Sequence, residues 1–175
     1  MVHGDMSTTG IFSFPNPVNE VSARLVAVGV VGMAALTIAF DLEWLTLVLA
    51  YGFVARVLAG PRFSPLGLLV TRVITPVLPV EPKLVPGPPK RFAQLIGAIF
   101  TVTVAVLTYG FDQFGTAQVL LGVLLVPAGL EAFVGFCVGC QIFGVLMRAG
   151  VVPDDVCESC NDIWSRRPDR AAAAT

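Results

Sequence analysis

Four long apolar stretches dominate the chain and restrict it more than any motif does. They lie at about Val21–Phe40, Trp44–Ala59, Phe92–Tyr109 and from Thr116 onward. A bilayer core about 30 Å thick is crossed by roughly 20 mostly apolar residues in a helix. Hydrophobic residues make up 55% of the 175, and charged residues only 13%. Soluble domains carry about 25% charged residues. A water-soluble fold of this length could not bury so much apolar surface, so part of it must face lipid. The expected class is therefore an all-α membrane protein with four transmembrane helices.

The links between the runs suggest how they are paired. Asp41-Leu42-Glu43 alone separates the first two, and residues 110–115 separate the last two. Links this short predict two antiparallel hairpins. Neither turn contains Lys or Arg, whereas Arg24, Arg56, Arg62, Arg72, Lys83, Lys90, Arg91, Arg148, Arg166, Arg167 and Arg170 all fall on the other side. The positive-inside rule then puts both termini and the central loop in the cytoplasm. Arg24 and Arg56, near helix ends, are expected to snorkel to the interface. Residues 1–20 lack the basic start and apolar core of a secretory signal, so the first run is expected to stay as an anchor. Translation starting at Met6 instead of Met1 would leave this reading unchanged.

The expected layout is an amino-terminal cytoplasmic segment (1–20), a membrane domain (21–148) and a cytoplasmic tail (149–175). The spans are 21–40, 44–59, 92–109 and 116–136, the last with a helical extension to 147. Asn16 is a candidate cap for the first span, with Pro17 at the first helical position. Between the hairpins, residues 60–91 are rich in proline, which breaks regular structure. Ser64–Thr75 escapes this: Ser64 can cap a helix that begins with Pro65. Too short to span, this piece is expected to lie at the interface as an amphipathic helix, with Arg72 toward the headgroups. A re-entrant or buried loop is the other reading of it. Ala93, Gly97, Thr101 and Ala105 place small residues every fourth position of the third span, a stripe that lets helices approach closely in lipid.

The candidate chemistry lies in four cysteines, Cys137-Val-Gly-Cys140 and Cys157-Glu-Ser-Cys160. Both pairs fall on the predicted cytoplasmic side, where thiols are kept reduced and structural disulfides are rare. Paired cysteines in that compartment serve more often in redox exchange or in metal binding. Thr116 to Met147 is 32 residues. As a straight helix that is roughly 48 Å, longer than the bilayer core. Pro127, Gly129 and Gly135 are weak points where a kink is expected. A helix restarting near Gly135 would place Cys137 in its first turn, where a thiolate is favoured.

Glu131 is the only acidic residue deep within a span. Intramembrane carboxylates are costly and point to function by default. Glu131 could exchange protons with the thiols, or it could be a buried pairing group; Arg56 is a candidate partner. On a straight helix Glu131 and Cys140 would face opposite ways, so a catalytic role requires the kink. The second cysteine pair sits among Asp154, Asp155, Glu158 and Asp162. Sixteen residues separate the two pairs, a spacing within the four-cysteine zinc pattern. Cys137, Cys140, Cys157 and Cys160 are thus either thiol redox groups, zinc ligands or structural. The embedding sequence FVGFCVGCQIFGVLM lacks the turn residues of a zinc knuckle. No nucleotide loop, nucleophile triad or nucleic-acid-binding stripe is visible, and His3 is the single histidine.

Four segments together, FPNPVNEVSARL (14–25), GPRFSPLGLL (60–69), PPKRFAQLIG (88–97) and GFCVGCQIF (135–143), resemble a bacterial membrane family known as domain of unknown function 4395. The resemblance covers about residues 14–147, with the second cysteine pair as an extension. It implies a small multi-pass protein of the bacterial plasma membrane whose paired cysteines end the last span. It also implies thiol or sulfur-transfer roles beside thioredoxin-like or rhodanese-like proteins. The expected function is a thiol–disulfide or persulfide relay without a resident cofactor. Cys137 and Cys140 would act at the membrane, Cys157 and Cys160 on the tail, and Glu131 would assist. The competing reading is a non-catalytic scaffold or assembly subunit whose cysteines bind zinc or are structural. No reaction is fixed by these features.

Overall fold

A computed structural model describes residues 16–79 and 83–153. In chain order these form β1 (Val18–Asn19), α1 (Glu20–Phe40), α2 (Trp44–Ala59), a 3-10 turn (Gly60–Arg62) and α3 (Pro65–Leu69). A π-helical turn (Val70–Ile74), α4 (Thr75–Val77), β2 (Leu84–Val85), α5 (Gly87–Gly110) and α6 (Phe114–Gly129) follow. A second π-helical turn (Leu130–Val134) then leads to α7 (Val138–Arg148). Among the described residues four helical stretches are long and apolar enough to cross a membrane: Glu20–Phe40, Trp44–Val77, Gly87–Gly110 and Phe114–Val134. The chain is thus an all-helical protein of membrane type, with one two-residue ribbon.

The interior between the spans is apolar apart from buried threonines. Val30 and Ala34 of α1 meet Leu49 and Phe53 of α2, Ala98 and Val104 of α5, and Leu121 and Leu124 of α6. The outside is apolar as well: Leu36, Leu47, Tyr51, Ile99, Val119 and Val126 are all exposed. Contiguous exposed apolar surface of this extent is what lipid covers. Helices suit lipid because every backbone group is satisfied within the segment. Threonines obey the same rule, as Thr37, Thr101 and Thr108 donate to the carbonyls of Met33, Gly97 and Val104 at 2.8–2.9 Å.

Several boundaries differ from expectation, each for a local reason. Asn19, not Asn16, caps α1, its side chain accepting from the Val21 amide at 3.0 Å. Asn16 instead accepts from the Gly87 amide at the start of α5 (3.1 Å), so it joins the amino-terminal segment to the third span. Next to it β1 pairs antiparallel with β2, Val18 opposite Val85 and Asn19 opposite Leu84. The Lys83–Glu20 salt bridge (2.7 Å) adds to that tie. Helix α5 begins at Gly87, five residues before the expected Phe92. Pro88 and Pro89 fall in its first turn, where a missing amide costs nothing. The Ser64 cap of α3 forms as expected, accepting from the Gly67 amide at 3.3 Å.

The small-residue stripe of α5 meets two partners. Ala93 lies against Gly139 of α7, where an added Cβ would come within 2.6 Å of the Ala93 backbone. Gly97 receives the Phe53 ring of α2, which leaves no room for a side chain.

The fourth apolar segment is not one continuous helix to residue 147. Pro127 removes one backbone donor inside α6. The helix then widens into the π turn and stops at Gly135, whose φ of 77° lies in the left-handed region that favours glycine. The Phe136 amide donates to the Leu130 carbonyl at 3.1 Å and closes the end. Helix α7 restarts three residues later, which is the break that proline and glycines in this stretch suggested.

Candidate functional site: a disulfide and buried charges at one end of the bundle

The break puts Cys137 at the N-cap of α7 with extended backbone (φ −88°, ψ 99°). Its sulfur accepts from the Cys140 amide at 3.3 Å. The two cysteines are joined as a disulfide with their Cα atoms 5.2 Å apart. Cys137 is 8% exposed and Cys140 half-buried. Helix α7 is pinned to α5 twice, by the Gly139–Ala93 contact and by Phe143 tilted against Phe92 with ring centroids 5.6 Å apart.

Glu131 lies one turn before the break, within the π turn. Its carboxylate pairs with the Lys90 ammonium at 2.6 Å. The salt-bridge partner is therefore Lys90, while Arg56 feels the Glu131 charge from farther away. Lys90 is 7% exposed, in the first turn of α5, where the early helix start carries it inward. Taking both charges out of water is repaid only by such close pairing.

Of the two arginines expected to snorkel, only Arg56 is buried. Arg24, half-buried, donates to the carbonyls of Phe133 (3.0 Å) and Ala132 (3.4 Å), groups left without helical partners where this helical stretch ends. Arg56 is 5% exposed. Its Nε donates to Gln94 Oε1 at 3.0 Å, Nη1 donates to Ser64 Oγ at 3.5 Å, and its guanidinium lies 4.4 Å from the Phe53 ring centroid. Stacking on an aromatic face suits a planar, weakly hydrated guanidinium.

These groups surround one cavity of about 260 Å³. Arg56, Gln94, Glu131 and Cys137 supply its polar lining, and Val26, Val30, Phe100 and Leu124 much of the rest. A larger open groove of about 600 Å³ runs past Val57, Arg91 and Phe92, but none of the cysteines or carboxylates lines it. Glu131 and Cys137 line the smaller cavity together, with the π turn and Gly135 resetting the chain direction between them.

Of the expected site residues, Cys137, Cys140 and Glu131 are placed here. Cys157 and Cys160, together with their acidic neighbours, lie outside the described residues. Among the described residues no group of three or more His, Cys, Asp or Glu is placed to hold a metal. While disulfide-bonded, Cys137 and Cys140 are not thiolates and cannot serve as zinc ligands. Lys90, Gln94 and the buried role of Arg56 do not follow from the sequence pattern. One signal does exist in it: Gln94 is a lone amide four residues after Lys90, so the two share a helix face.

What the arrangement can do chemically follows from the sulfur pair. A disulfide takes up two electrons. The sulfur at a helix N-cap sits where amide dipoles stabilise negative charge. Comparison with curated proteins and with solved structures finds no match. The family whose profile matches residues 18–148, from β1 through the last turn of α7, is described as Domain of unknown function (DUF4395), and the chain belongs to it.

Proposed function

We propose that this protein is a thiol–disulfide relay of the membrane, with Cys137–Cys140 as its working pair. The observation that carries the reading is the pair's position, at the amino end of α7 and on the wall of a cavity that also holds a paired carboxylate. In the forward step a partner thiolate attacks the sulfur of Cys140, the more exposed of the two. The S–S bond breaks, a mixed disulfide forms, and Cys137 leaves as a thiolate on the amide donors of α7. A second partner thiol then displaces Cys140. The partner ends as a disulfide and the pair as a dithiol, with two electrons passed inward.

The spans are arranged as two hairpins, with Ser64–Thr75 an amphipathic helix at the interface. The side bearing the basic residues is the cytoplasmic one, by the positive-inside rule, and the membrane is the bacterial plasma membrane. Cys157 and Cys160 exchange with Cys137–Cys140, or pass electrons to it from a thioredoxin-like or rhodanese-like protein. Glu131 holds or moves a proton beside the pair. No resident cofactor is required.

Equilibration of the purified protein with glutathione buffers, followed by maleimide mass labelling, tests the relay. The pair is expected to change from disulfide to dithiol at a potential between about −320 and −180 mV. A Cys137→Ser variant is expected to trap a partner on Cys140. A pair that keeps one state throughout that range sinks the reading. So does about one zinc per chain in reduced protein that disappears when all four cysteines are changed to Ser.

A further inference from the structure

The relay leaves a question of destination, since a dithiol formed next to the bilayer interior must give its electrons to something. We propose that the 260 Å³ cavity is a binding site for the ring of a lipid-soluble quinone, which reoxidises the Cys137–Cys140 dithiol. This rests on the relay reading and names its electron acceptor.

Size and lining both select such a ligand. Pockets for drug-sized ligands measure roughly 300–1,000 Å³. This one lies just below that range, so it suits a single substituted ring and excludes a dinucleotide or flavin. Its walls are chiefly apolar, with Val26, Val30, Phe100 and Leu124 among them. Two of its polar groups, Arg56 and the Gln94 amide, present donors. Arg56 Nε is engaged by Gln94 Oε1, which fixes the orientation of that amide. The Gln94 NH2 therefore points elsewhere, and among the described residues it has no partner. Arg56 is a buried cation with no carboxylate in salt-bridge range among the described residues. A guanidinium and an amide NH2 on one cavity wall are suited to the carbonyl oxygens of a quinone, and to the oxyanion that develops as it is reduced. Glu131 is occupied with Lys90, so no free carboxylate opposes an electron-rich ring.

The step balances without another reagent. The S–H bonds of Cys137 and Cys140 break and one S–S bond forms. The two electrons reduce the ring, and the two protons end on its oxygens as hydroquinone. Cys137 lines the cavity and Cys140 is its neighbour in the first turn of α7, so the ring meets the sulfur that the partner does not attack. Partner and quinone thus approach the pair from different sides.

The test uses full-length protein in dodecyl maltoside, reduced, desalted and mixed anaerobically with decylubiquinone. Hydroquinone absorbance and maleimide-reactive thiols are followed together. The expected result is saturable quinone reduction matched by loss of two thiols for each hydroquinone formed. Gln94→Leu is expected to raise the half-saturating quinone concentration about tenfold, the loss of one good hydrogen bond. Arg56→Lys, which keeps the charge but loses the planar fork, is expected to shift it in the same direction. If the pair cycles with dithiothreitol in quinone-free micelles but decylubiquinone is not reduced, the quinone site is wrong and the relay stands. Reduction that never saturates and ignores both variants is solution chemistry and also overturns the site. A pair that cycles with neither reagent removes both readings together.

Discussion

The two ends of the helical bundle are built on different principles. At one end lie the short links at Asp41–Glu43 and Phe111–Gln113. Asp41 and Asp112 adopt left-handed backbone (φ 53° and 51°), and Phe40, Trp44, Tyr109 and Phe111 stand exposed around them. Aromatic rings at this level suit a membrane–water interface. Three side-chain bonds link the turns to the bundle: Gln118 Nε2 donates to Asp41 Oδ1 at 2.6 Å, Thr46 Oγ1 to the Glu43 carbonyl at 2.6 Å and Thr116 Oγ1 to Gln113 Oε1 at 3.2 Å. At the other end lie the Lys90–Glu131 pair, buried Arg56, half-buried Arg24, the Ser22–Thr75 hydroxyl contact at 3.0 Å and the disulfide. The first end shows how little polar structure this bundle needs in order to hold together. Polar groups at the second end are therefore more than the fold requires, and buried charge seldom adds net stability. Of them Arg56, Glu131 and Cys137 line one cavity, the one on which the proposed function rests.

The largest effect is expected from breaking the buried pair. Glu131→Leu leaves the Lys90 charge buried and alone, at a cost of about 3–5 kcal/mol in equilibrium unfolding measured in micelles. Glu131→Leu combined with Lys90→Met should recover most of that loss. If the single variant is as stable as the parent, the contrast between the two ends fails. A smaller effect is expected where α7 docks. Gly139→Val forces a side chain into the Ala93 backbone and should cost about 1–3 kcal/mol. It should also slow re-formation of the Cys137–Cys140 disulfide in a glutathione buffer, because the cysteines ride on the helix that is pushed away. Normal re-formation would mean that the docking does not position them. The smallest effect belongs to the turn end. Gln118→Ala should cost about 0.5–1 kcal/mol in the same unfolding measurement and leave cysteine reactivity unchanged. A change in reactivity from that distance would show the ends to be coupled.

Span existence was legible because twenty consecutive apolar residues permit few other folds. Boundaries were less so. The prolines at 88 and 89 announced a loop, yet they sit in the one turn of a helix that tolerates them, and that shift brought Lys90 inside. The break after Glu131 could be located from Pro127 and Gly135, since both act through the backbone of their own segment. Which cation would meet Glu131 could not, because Arg56 and Lys90 are 75 and 41 residues away and only packing chooses between them. Arg56 misled for the same reason. Arginine near a helix end snorkels by default, and here an amide and a ring offered better company inside.

The π turn at Leu130–Val134 has one further consequence. Such a turn holds a surplus residue relative to a regular helix, and each helical residue advances the direction by about 100°. Deleting a single position there would swing Glu131 away from Lys90, and would carry Gly135 and both sulfurs out of phase with α5, though no side chain had been altered. The site is thus written partly in the arithmetic of chain length, and its spacing can be lost while every residue that composes it is kept.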